Sequence, residues 1–181
     1  MFVWNAQILR IGHLKPYLCH TLFAMNPIFK KLNYKGQKIL HIVNAPPSFN
    51  KEVDEMLPQV AVKTVLSGAK GVEFFIAFVT KQKEVDECSK KIATLLTSDG
   101  LLWFAYPKGT SKKYKCEFNR DNGWAVLGKL GFEPVRMVAI DEDWSALRFR
   151  KPENIKKMTR GFAMTVEGKK KVAAAKKVSK K

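Results

Sequence analysis

Between Asp99 and Arg120 the chain reads DGLLWFAYPKGTSKKYKCEFNR, an unbroken apolar run from Leu101 to Tyr106 followed by a basic loop. A run that short, rich in aromatics and without polar alternation, is the pattern of a strand buried on both faces. Such a strand needs a layer of structure on each side, so the chain must place helices over both faces of a central sheet. In a parallel sheet of that kind ligands bind outside the carboxyl ends of the strands. The loop after Pro107, with Lys108, Lys112, Lys113, Lys115 and Arg120 around Tyr114 and Phe118, would sit there.

The rest of the sequence supplies matching elements. Asn26 before Pro27 predicts a capped short helix over Pro27 to Asn33, and KILHIVN predicts a first strand over Lys38 to Asn44. Ser48 is expected to cap a helix carrying Phe49, Val53, Met56 and Leu57, ended by Pro58. Val60 to Leu66 reads as a second strand and Val72 to Val79 as a central third. Thr80 is expected to cap a helix with Val85, Cys88, Ile92, Leu95 and Leu96 inward, stopped by Gly100. Asn119 or Asp121 opens a further helix with Trp124 and Leu127 inward and Gly131 at its end. Val135 to Ile140 and Ser145 to Arg150 form a closing hairpin. The connector from Leu66 to Val72 is too short for a parallel crossover between neighbours, so the second strand either ends near Thr64 or runs antiparallel.

Charge divides the chain. The formal net charge is +17, of which residues 1–24 carry +2, residues 25–150 carry +6 and residues 151–181 carry +9. A moderately basic domain over 25–151 is therefore followed by a basic Lys/Ala-rich tail over 152–181, expected to be disordered when free and able to form helix once neutralised. Residues 1–24 are apolar but interrupted by Arg10, Gly12, Lys15 and Pro16, which is not the order of a secretory signal. They are expected to lie outside the fold. Three scattered cysteines fit a reducing, cytoplasmic setting, and no stretch is long and apolar enough for a membrane span.

Reaction chemistry is poorly provided for. His41 is the one histidine of residues 25–181, and as it lies among apolar residues it reads as a packed side chain. That excludes a histidine-based triad within the domain. His13, Cys19 and His20 lack a fourth metal partner. Asp141, Glu142 and Asp143 could hold a divalent cation, but adjacent acids at a hairpin corner are ordinarily a solvated turn or partners of the basic loop. No catalytic residue, cofactor or metal is assigned.

The succession of strand, helix, "DGLLWFAYPK", helix and hairpin resembles the class I methyltransferase version of the Rossmann-like fold over residues 37–150. That family needs glycines after the first strand and an acidic residue after the second, to cradle S-adenosylmethionine. Here stand Asn44-Ala45-Pro46-Pro47 and Ser67-Gly68, and two prolines remove two N–H donors. The chain is also similar to small bacterial proteins with a domain of unknown function. They share an "LNAP" turn (here Val43-Asn44-Ala45-Pro46), an "LWxAxPK" strand end (Leu102 to Lys108) and a "DExWSxLxF" hairpin (Asp141 to Phe149). That resemblance brings no catalytic residues with it.

The sequence therefore predicts an α/β, Rossmann-like, mostly parallel sheet with a C-terminal antiparallel hairpin. Its expected role is non-enzymatic, with sequence-independent contacts to DNA or RNA. Those contacts would come from Lys112, Lys113, Lys115, Arg120 and the tail residues Lys169, Lys170, Lys171, Lys176, Lys177, Lys180 and Lys181. The alternatives are a divergent methyltransferase-like or nucleotide-binding enzyme using Asn44, Thr80 and Lys108, and a module binding an acidic protein. The sequence does not give an oligomeric state.

Overall fold

A computed structural model describes residues 25–158 and 162–178; the expectations for residues 1–24 and for Lys180 and Lys181 lie outside them. Six strands, β1 (Ile39–Val43), β2 (Ala61–Lys63), β3 (Val72–Phe78), β4 (Leu96–Pro107), β5 (Glu133–Ala139) and β6 (Trp144–Arg150), form one sheet in the order β2-β1-β3-β4-β6-β5. The pairs β1–β2, β1–β3 and β3–β4 are parallel, and β6 runs antiparallel to both β4 and β5. This is a Rossmann-like sheet of methyltransferase-like strand order, with the reversed strand inserted beside the last parallel one.

The apolar run of β4 explains the layering. Leu101 to Tyr106 are all buried, and alternation sends their side chains to opposite faces. Trp103 packs with Phe29, Leu32, Phe49 and Phe74 under helices α1 (Pro27–Lys31) and α2 (Asn50–Met56). Its indole N–H donates to the Leu32 carbonyl at 3.0 Å, so the buried polar atom has its partner. Phe104 packs with Phe75, Leu127 and Phe149 under α3 (Gln82–Ala93) and α4 (Ala125–Lys129).

Several local expectations are corrected. Of the two alternatives for the second strand the early end holds, as β2 stops at Lys63 and is parallel to β1; what changes is its neighbour, since β1 separates it from β3 and the connector skips a strand. β2 is an edge strand with little burial, which leaves nothing to extend it. Ser48 caps no helix: its hydroxyl donates to Asp141 at 3.2 Å, and a 3-10 turn over Pro47–Phe49 leads into α2. Thr80 is not the acceptor at the start of α3, because the Glu84 carboxylate reaches back to the Thr80 and Lys81 N–H groups at 2.7 and 3.1 Å. Gly100 lies inside β4, where a Cβ would meet the Val72 carbonyl at 2.9 Å. Asn119 accepts from the N–H groups of Asp121 and Asn122 in a tight turn, and α4 begins later, at Ala125.

The tail differs most from its expectation. Residues Val166–Val178 form helix α5, and its start is docked on the domain. The buried Glu133 carboxylate accepts from the Met164 and Thr165 N–H groups and from the Thr165 hydroxyl, the last at 2.7 Å. Thr165 Oγ1 accepts in turn from Gly168 N–H, capping the helix. Lys171 Nζ donates to the carbonyls of Pro152 and Ile155 at 2.6 and 2.9 Å. These bonds, with the burial of Val172, hold the helix that charge repulsion opposes in the free tail.

Candidate functional site

β4 ends at Pro107, and the loop that follows folds back over the strand ends. Lys108 N–H donates to the Asp143 carbonyl and its Nζ to the Asp141 carbonyl, both at 2.7 Å. The Ser111 hydroxyl donates to Asp143 at 2.8 Å, and Lys113 Nζ lies 3.5 Å from the same carboxylate. Farther along, Glu117 N–H donates to the Thr80 carbonyl and its carboxylate accepts from Gln82 N–H at 2.8 Å. The acidic hairpin corner thus serves as the anchor of the basic loop. Asp141 Oδ1 itself accepts from the N–H groups of Asp143 and Trp144, so the corner is a closed turn. Among the described residues no cluster of His, Cys, Asp and Glu is placed to hold a metal ion.

Held this way, the loop encloses a cleft of about 540 Å³ at the carboxyl end of β4. Lys108, Lys115 and Arg120 supply charge, Ser111, Asn119 and Ser145 supply neutral polar groups, and no carboxylate lines it. Arg120 is exposed and paired with the neighbouring Asp121 at 3.0 and 3.1 Å. Tyr114 is half-buried with its ring 5.0 Å from that of Trp144. Phe118, although set among the basic residues of the loop, is buried against Trp124 at 5.1 Å. Lys112 is exposed on the same loop.

The cleft holds no activated nucleophile. Burial pushes the Cys116 thiol up, away from the thiolate that reacts. Burial likewise raises Tyr106, opposed by the charge of Arg120. Among the described residues no histidine lines the cleft: His41 is buried in β1, where desolvation and then the charge of Lys63, its register partner, hold it below the ordinary range. Cys88, on α3, is also raised by burial.

The carboxyl end of β1 is built differently. Asn44 takes the left-handed conformation, φ +55°, which asparagine tolerates better than most residues. Pro46 is buried and Pro47 opens the 3-10 turn, so neither offers an N–H. Asn44 lines a second cavity with Thr64 to Ser67 and the last turns of α3. Asn44 and Lys108 therefore line different cavities, and Thr80 lines neither, its carbonyl accepting from Glu117 N–H of the loop.

Nor do the loop and the tail form one surface. Glu133, which anchors α5, is the register partner of Arg150, whereas Pro107 at the cleft is the partner of Trp144. The length of β6, roughly 20 Å at the usual rise per residue, lies between them. Lys169 and Lys170 are exposed, Lys171 is engaged by backbone carbonyls, and the side chains of Lys176 and Lys177 lie outside the described residues. Sequence reasoning placed the loop correctly but missed Ser145, which only the β4–β6 pairing brings to the cleft.

No protein-family model matches the chain, and no curated protein matches it. Among solved structures it is similar to a TehB-like SAM-dependent methyltransferase from Corynebacterium glutamicum, at 12% identity over 68% of this chain and 85% of that one, TM-score 0.40. It is also similar to the fibrillarin pre-rRNA processing protein of Methanococcus jannaschii, at 13% identity over 62% of this chain and 56% of that one, TM-score 0.41. Likenesses this distant decide nothing about activity, and the fold rests on the strand order itself.

Proposed function

We propose that the chain is a nucleic-acid-binding domain of methyltransferase-like fold, which holds a strand without reading its sequence and without transferring a methyl group. The observation that carries the reading is the cleft at the end of β4, lined by three cations and by no carboxylate. Phosphodiesters suit such a rim. Lysines meet phosphates as point charges, hydroxyls and amides donate to their oxygens, and the Tyr114 ring offers a face to one base. The one forked donor of the rim, Arg120, has its fork engaged by Asp121, so no sequence preference is expected.

The test is fluorescence anisotropy of a labelled dodecathymidylate titrated with the full chain at several salt concentrations. Log affinity should fall linearly with log salt, by about 0.7 per phosphate neutralised. Replacing Lys112, Lys115 and Arg120 by glutamine together should reduce the slope by about 2. A folded triple variant that binds like the wild type, with the same slope, would sink the reading.

A divergent methyltransferase is the second reading, favoured by the strand order and by the left-handed turn at Asn44, where that fold's cofactor loop begins. It requires a saturable rise in melting temperature with S-adenosylmethionine. The first reading expects none, because Pro46 and Pro47 remove the donors a cradle would use.

A further inference from the structure

The β5–β6 ladder carries a second cationic feature that the cleft does not use. Arg136 and Arg148 are direct partners in the antiparallel register, so their side chains leave the same face of the sheet. Arg150, two residues along β6, shares that face. On its other side Arg148 is partnered by Trp103, which identifies the face as the one under α1. Like charges directly opposite each other destabilise a strand pair, and the fold does little to compensate. Glu133 is the register partner of Arg150, but its carboxylate is taken by Met164 and Thr165. Asp99 is bonded to Arg150 alone of the three. Among the described residues no ion pair reaches Arg136 or Arg148. Arg148 is half-buried, and its Nε is buried without a hydrogen-bond partner. Burial and the Arg150 and Arg136 charges push its guanidinium below the usual range, with Asp99 opposing them.

We propose that Arg136, Arg148 and Arg150 form a binding site for a phosphate-bearing anion, separate from the cleft and independent of the reading given to it. Three guanidinium groups against one carboxylate leave two positive charges, which a phosphomonoester or pyrophosphate group balances. Planar forks match phosphate oxygens two at a time, which a lysine cannot do. The face lies toward the Arg150 end of β6, away from Pro107 and Trp144 at the cleft.

Inorganic pyrophosphate is the probe, titrated into the full chain at low ionic strength while the melting temperature is followed. A saturable rise is expected in the wild type. Arg136→Gln changes an exposed position that the core does not need, and should raise the half-saturating concentration about tenfold, the effect of losing one charge-assisted contact. Arg148→Lys keeps the charge and loses the fork, so it should also weaken binding, which a diffuse charge effect would not do. Lys112→Gln with Lys115→Gln, on the loop after β4, should leave the pyrophosphate midpoint where it was. A labelled dodecathymidylate then identifies the source of the phosphate. If Arg136→Gln weakens it as well, the site takes nucleic acid; if only pyrophosphate responds, the site takes a small phosphorylated ligand. A wild type with no saturable rise, or a midpoint unmoved by both arginine variants, overturns the proposal.

Discussion

At the end of β1 the chain turns through a left-handed Asn44 and enters two prolines, one of them buried. At the end of β4 it enters a loop whose backbone and side chains are tied to the hairpin corner, leaving a cleft with basic walls. Both are carboxyl ends of parallel strands, where this fold offers its ligand positions. The first enters two prolines, which have no N–H to offer, and the second carries Lys108, Lys115 and Arg120 on its walls, with Arg120 paired to Asp121. Strand order alone therefore does not carry an activity with it, because each edge is finished by its own loop chemistry.

Asp141 joins the two edges. It accepts from Ser48 beyond the prolines, and its carbonyl accepts from Lys108 of the loop. The most severe way to break the comparison is to remove the scaffold beneath both ends. Trp103→Ala should cost roughly 3–5 kcal/mol, read by denaturant unfolding, because the indole is fully buried. Asp141→Ala is more selective. It deprives Asp143 N–H, Trp144 N–H and the Ser48 hydroxyl of their acceptor, and should cost about 2 kcal/mol. Proteolysis of the loop should accelerate as the turn that presents the Asp141 carbonyl and the Asp143 carboxylate to it loosens. An unchanged loop would mean that Lys108 and Ser111 hold it without the corner.

Much of this contrast can be read from the residues. The apolar run announces a doubly covered strand, the prolines announce a closed turn, and the hairpin follows from its alternation around Asp141 to Trp144. What the sequence does not show is where long-range partners fall. Glu84 displaces Thr80 at the start of α3 because a longer side chain can reach back a full turn. Phe118 sits within a basic stretch and still goes inward, because Tyr106, Trp124 and the α4 layer need a ring there. The tail looked free because its charges repel, and the single buried carboxylate that docks it, Glu133, lies far away in sequence.

Asn44→Ala sharpens the comparison from the β1 side. An ordinary side chain in the left-handed region should cost about 1 kcal/mol, while oligonucleotide affinity at the β4 cleft stays at its wild-type value by anisotropy. The smallest effect belongs to His41, within β1. Its folded pKa is depressed, first by burial and then by Lys63. The unfolded chain therefore takes up its proton first as pH falls. Stability from this group is full above the unfolded value, about 6.5, and is lost below it toward the folded value. His41→Leu should flatten that part of the stability–pH curve, and an unaltered curve would exclude His41 as its source.

The contrast between the two edges is tested most directly by amide hydrogen exchange of the full chain with and without saturating dodecathymidylate. The account predicts slowed exchange across 108–120 and none across 44–50, with S-adenosylmethionine slowing neither. Slowed exchange at Ser48, Phe49 and Asn50 on adding S-adenosylmethionine, with 108–120 indifferent to the oligonucleotide, would contradict it.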